Sequence, residues 1–171
     1  MTTLPNLISF FRILLVPVFP CLYLHYTPVH ALVLFLFAGL SDILDGFIAR
    51  RYDCITRIGT VLDPLADKLM LIAVLGTFAY GGRIPVVLFL TAAFIELFLI
   101  LTGLYLYLKK NSLTIPSNRL GKGATLTGSA AIVLVTFDAT LEAGVGLLVV
   151  AILIRIFAVG GYYGIYKKST S

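Results

Sequence analysis

Six stretches of mainly apolar residues, roughly 7–26, 29–51, 60–80, 84–108, 121–137 and 145–166, occupy most of the chain. Each falls in the range of about 17–25 residues with which a helix crosses a hydrocarbon core. Breakers and charges separate them. Pro28 follows the first, Gly81-Gly82-Arg83 divides the third from the fourth, and Lys109-Lys110-Asn111-Ser112 ends the fourth. The runs are continuous, without the alternation of a barrel strand, so they predict helices and reject a β-barrel. The fifth is short and rich in Gly, Ala and Thr, which suits packing against neighbouring helices. No linker or low-complexity stretch interrupts the series, so a single domain is predicted over residues 1–171.

Composition sharpens this picture. Of 171 residues, 60% are hydrophobic and 12% charged, against about 45–50% and about 25% in a soluble domain. Too little polar surface remains to cover a globule. A soluble enzyme, a disordered chain and a secreted disulfide scaffold are excluded, and an all-α integral membrane protein is expected. Cys21 and Cys54 fall on opposite sides of the membrane in this scheme and form no disulfide framework.

The net charge of +5 is explained by where the bases lie. With the N-terminus inside, the cytoplasmic segments hold Arg50, Arg51, Arg57, Lys109, Lys110, Arg119, Lys122, Lys167 and Lys168, whereas the opposite side holds only Arg83, with Asp138 and Glu142. This asymmetry predicts six transmembrane helices with both termini cytoplasmic. Anionic lipid headgroups account for the basic loops, and no nucleic-acid partner is expected. Residues 1–6 lack a basic n-region and the first run ends in no cleavage-site pattern, so a retained first helix is expected. The lack of an Arg- and Ser-rich transit peptide favours a prokaryotic cytoplasmic membrane.

Five of the eight acidic residues lie between positions 42 and 67. Asp42 and Asp45 are spaced i,i+3, and Asp63 and Asp67 i,i+4, so each pair shares one helix face. The second run descends to the cytoplasm and the third rises from it, which puts both pairs at similar depth. One carboxylate within the bilayer costs at least about 2.5–3.5 kcal/mol, and four together repel one another. Bound divalent cations relieve both costs, and an all-oxygen site suits Mg²⁺ or Mn²⁺, which also bridge phosphates. Helix capping offers a simpler explanation for Asp63, placed before Pro64 in a first turn, but not for Asp42 and Asp45. Gly46 leaves room for a ligand to approach the backbone, and Arg50 suits a phosphate.

Read together, the pattern is Asp42-x-x-Asp45-Gly46-x-x-Ala49-Arg50, eight residues, then Gly59-x-x-x-Asp63-x-x-x-Asp67. It resembles the signature of the CDP-alcohol phosphatidyltransferases, with all eight positions filled. Leu4-Pro5-Asn6-Leu7 with Arg12, Leu62-Asp63-Pro64-Leu65-Ala66-Asp67-Lys68, and Gly121-Lys122 with Thr125 are similar to segments of the phosphatidylglycerophosphate and cardiolipin synthases.

The resemblance implies that Asp42, Asp45, Asp63 and Asp67 hold two divalent cations on the diphosphate of CDP-diacylglycerol. Asp67 would also be the general base on an alcohol acceptor. Gly46, Ala49, Arg50, Gly59 and Asn6 would line the CDP-lipid pocket. Arg119, Lys122 and Arg155 are candidates for the acceptor, which the resemblance suggests is glycerol 3-phosphate, with phosphatidylglycerol as the alternative. A homodimer is implied on the same ground.

One departure concerns the fourth run. The resembled enzymes commonly have Arg before an acid there, and this chain has Ile95-Glu96, with Arg155 available to replace the lost charge. Two rivals use similar chemistry. An ion transporter should show broken helices in matching halves, and an aspartate-rich intramembrane prenyltransferase lacks the Gly46, Ala49-Arg50 and Gly59 spacing.

Overall fold

The computed structural model describes residues 4–51, 59–110 and 119–169, with side-chain detail at 10–41, 62–104 and 121–159. Every regular element among them is helical. In chain order they are α1 (Leu4–Leu15), α2 (Val18–His25), α3 (Pro28–Arg51), α4 (Gly59–Tyr80), α5 (Val86–Lys110), α6 (Arg119–Thr136), a 3₁₀ turn (Asp138–Thr140) and α7 (Leu141–Ser169).

Five of the six apolar runs match one helix each, and the first does not. It breaks between α1 and α2 at Val16-Pro17. Pro17 has no N–H to donate to Ile13, and its ring crowds that carbonyl. The N–H of Val16 closes a tighter turn on the Ile13 carbonyl instead, at 3.2 Å. A second difference lies in α4, which starts at Gly59, a full turn ahead of Asp63. Asp63 and Pro64 are therefore inside the helix, and first-turn capping does not account for this carboxylate.

The core forms where α2, α4, α6 and α7 meet, around Phe19, Val74, Phe78, Ile132, Val135 and Leu148. Tyr23 and Phe78 meet edge-on with centroids 5.5 Å apart, a favoured aromatic geometry. The most extensive packing joins α6 to α7. At Gly144 a Cβ would fall 2.6 Å from the Val135 backbone nitrogen, so glycine sets that close approach. At the same end Arg83, from the α4–α5 turn, pairs with Asp138 at 2.7 Å and donates to the Val135 carbonyl at 3.0 Å.

Outside this core much of the described surface is apolar. On α5, Val87, Leu90, Phe94, Leu97 and Leu101 are all exposed, an apolar stripe of the kind that meets another apolar phase and not water. Among the described residues, Val86–Leu104 and Asp138–Val159 are long and apolar enough to cross a bilayer. This is a membrane protein.

Candidate active site

The site is built on α4, whose helical repeat puts Asp63 and Asp67 on one face. Asp63 is half-buried, and Asp67 is 50% exposed. Across from Asp67 stands Arg12 of α1, whose Nη1 lies 2.7 Å from Asp67 Oδ1. Arg12 is 3% exposed, so its guanidinium reaches the carboxylate from inside the protein. Packing of α1 against both α3 and α4 makes this pairing geometrically available.

Lys68, the next residue, leaves α4 about 100° further round the helix. Its Nζ donates to Glu96 Oε2 at 3.0 Å, and Arg155 Nη1 lies 2.7 Å from Glu96 Oε1. Glu96 is 1% exposed, and each of its oxygens faces one cation. A buried carboxylate needs such partners, since an unpaired ion there carries a desolvation penalty of several kcal/mol. Beside the pair is a cavity of about 20 Å³, lined partly by Ile95, Glu96, Gly128 and Arg155, about the volume of a single water site. From α1 through α4 and α5 to α7, the charges of Arg12, Asp67, Lys68, Glu96 and Arg155 alternate in sign.

The remaining expected residues are placed by their backbone. Asn6 is in α1, and Asp42, Asp45, Gly46, Ala49 and Arg50 are in the C-terminal part of α3. Gly59 opens α4 and Arg119 opens α6. The side chains of these residues fall outside the described ones. Lys122 is exposed on α6. Arg155, expected near the acceptor, is engaged by Glu96. The role of Lys68 was not apparent from sequence: its partner is 28 residues away on another helix, beyond any local spacing rule.

Among the described residues no three His, Cys, Asp or Glu side chains form a cluster. Asp63 and Asp67 are two of the four expected carboxylates, while the side chains of Asp42 and Asp45 are outside the described set. The donor chemistry fits a hard divalent cation. Carboxylate oxygens are its ordinary ligands, and the i,i+4 pair on α4 offers two from one face.

The chain is similar in sequence to known proteins. Residues 2–159 match the family model described as CDP-alcohol phosphatidyltransferase. The chain is 39% identical over 114 residues to a cardiolipin synthase (CMP-forming)/mitochondrial hydrolase fusion protein of Schizosaccharomyces pombe, covering 67% of this chain and 19% of that protein. It is 37% identical over 109 residues to the CDP-diacylglycerol–glycerol-3-phosphate 3-phosphatidyltransferase of Aquifex aeolicus, covering 62% and 61%. To the cardiolipin synthase (CMP-forming) of Rattus norvegicus it is 45% identical over 85 residues, covering 49% and 28%. The chain thus aligns with less than two thirds of the length of each of these relatives. With the family model matched along nearly its whole length, this chain belongs to the CDP-alcohol phosphatidyltransferase family.

Proposed function

We propose that the protein transfers the phosphatidyl group of CDP-diacylglycerol to an alcohol and releases CMP, with glycerol 3-phosphate as the acceptor. The observation that carries this reading is Asp67, the last carboxylate of the eight-position motif. It is half exposed and pinned by a buried arginine, one turn from Asp63.

An alcohol is a poor nucleophile until its proton is removed in the transition state. Asp67 takes that proton as the hydroxyl oxygen bonds to the β-phosphorus of the CDP-lipid. The bond from that phosphorus to the bridging oxygen breaks, and CMP leaves with the electron pair. Arg12 holds Asp67 Oδ1 in a single direction, which favours in-line geometry. Two divalent cations, Mg²⁺ or Mn²⁺, held by Asp42, Asp45, Asp63 and Asp67, would supply charge stabilisation on the diphosphate. Asn6, Gly46, Ala49, Arg50 and Gly59 shape the nucleotide pocket in this reading, and Arg119 and Lys122 attract the acceptor phosphate.

The same reading includes a single domain with six membrane spans, both termini and the active site on the cytoplasmic side, in a prokaryotic inner membrane, and assembly as a homodimer. The positive-inside distribution of Lys and Arg supports the orientation.

Cardiolipin synthesis from phosphatidylglycerol is the second reading, favoured by the relatives that bear that name. The experiment is CMP release by the purified protein in lipid nanodiscs with CDP-diacylglycerol and Mg²⁺ or Mn²⁺. Glycerol 3-phosphate and phosphatidylglycerol are offered in parallel, with a chelator control. Chelator-sensitive release with glycerol 3-phosphate alone is expected. Release with phosphatidylglycerol alone moves the assignment to the second reading, and release with neither overturns both.

A further inference from the structure

Glu96 is buried and carries an ion pair on each oxygen, one of them to Lys68, the neighbour of Asp67 in the chain. Burying a carboxylate and partly burying two cations beside it is expensive compared with packing apolar side chains in the same volume. Ile95, which lines the same cavity, shows that apolar packing is tolerated beside it. The cluster therefore calls for a role other than stability, and the position of Lys68 points to one. It is the residue after Asp67 and carries a full charge on a flexible stem. Asp67 already has a guanidinium at 2.7 Å. A second uncompensated cation beside it would cancel the combined charge of Asp63 and Asp67 and weaken their attraction for a divalent ion.

We propose that Glu96 is a positioning residue that draws Lys68 away from Asp63 and Asp67, so that their negative charge is kept for cation binding. Arg155 fixes Glu96 through Oε1, which turns Oε2 towards Lys68. The proposal rests on the reading of Asp63 and Asp67 as cation ligands given above.

The test measures Mn²⁺ binding by electron paramagnetic resonance, without substrate, in nanodiscs of zwitterionic lipid, with melting temperatures recorded alongside. Binding by the unmodified protein checks the underlying reading, and its absence refutes that reading and the proposal with it. Given binding, Glu96→Gln is expected to weaken it on the order of tenfold, because the ammonium it releases repels the divalent ion. Adding Lys68→Met should bring the affinity back to within about twofold of the original, whereas adding Arg155→Met should not. A merely structural cluster would respond equally to loss of either cation. Equal rescue by the two, or a Glu96→Gln protein with unchanged affinity, overturns the proposal. Lys68→Met alone keeps the test valid if Glu96→Gln fails to fold. It should bind Mn²⁺ at least as tightly as the unmodified protein, and tenfold weaker binding with unchanged melting would refute the role assigned to Glu96.

Discussion

Arg12 and Asp67 are 55 positions apart in the chain and 2.7 Å apart in space, the arginine buried and the aspartate half exposed. The arginine enters from the protein interior, so the carboxylate is held from behind while half of its surface stays exposed. A general base is effective only when its reacting oxygen is aligned to within a fraction of an ångström. The pairing links α1 to the α4 carboxylate proposed as the base.

Replacing the base itself tests its assignment. Asp67→Asn should lower CMP release by about 10²–10⁴-fold, the usual contribution of a general base, while CDP-lipid binding persists. Single-turnover CMP release and equilibrium binding of the CDP-lipid separate the two effects, and near-normal turnover would remove Asp67 from the role.

In the proposed mechanism Arg12 acts through Asp67, so its loss should fall mainly on kcat. A hydrogen bond to a charged group is worth about 1.5–3 kcal/mol, so Arg12→Met should lower kcat by roughly 10–100-fold with a smaller change in KM. Arg12→Lys, which keeps the charge but loses the planar fork, should recover part of that. Steady-state kinetics of the two variants decide it. A KM effect alone would make Arg12 a substrate-binding residue instead.

Asp42 should be indispensable for cation-dependent binding. Asp42→Asn is expected to abolish the Mn²⁺-dependent part of CDP-lipid affinity while the helices persist by circular dichroism. Unchanged Mn²⁺ affinity would count against a site shared between α3 and α4.

Gly144 tests the packing of α7 on α6. A Cβ there meets Val135 backbone and side-chain atoms at 2.6–2.8 Å, too close for any rotamer change in residue 144 to relieve. Gly144→Ala should cost about 1–3 kcal/mol, as overpacking usually does, visible as a lower melting temperature in detergent. Gly146, with open space around its Cβ position, serves as the control, and equal loss at both sites would refute the packing explanation.

Much of this protein is determined by its sequence alone. The length and continuity of its apolar runs specify helices, because in lipid a backbone must satisfy its own hydrogen bonds. The i,i+3 and i,i+4 spacings of the aspartates place each pair on one face, since 3.6 residues complete a turn. The break at Pro17 is likewise local chemistry, though the apolar run across it conceals it. The apolar run from residue 60 matches the start of α4 at Gly59, whereas Asp63-Pro64, a pair that also suits a first turn, points to a later one. Tertiary structure alone decided which charges meet. That Arg12 faces Asp67, and that Lys68 and Arg155 share Glu96, depends on the rotation of each helix about its axis and on how closely the helices pack. Sequence periodicity specifies neighbours within a helix, and it carries no information about the azimuth of one helix relative to another.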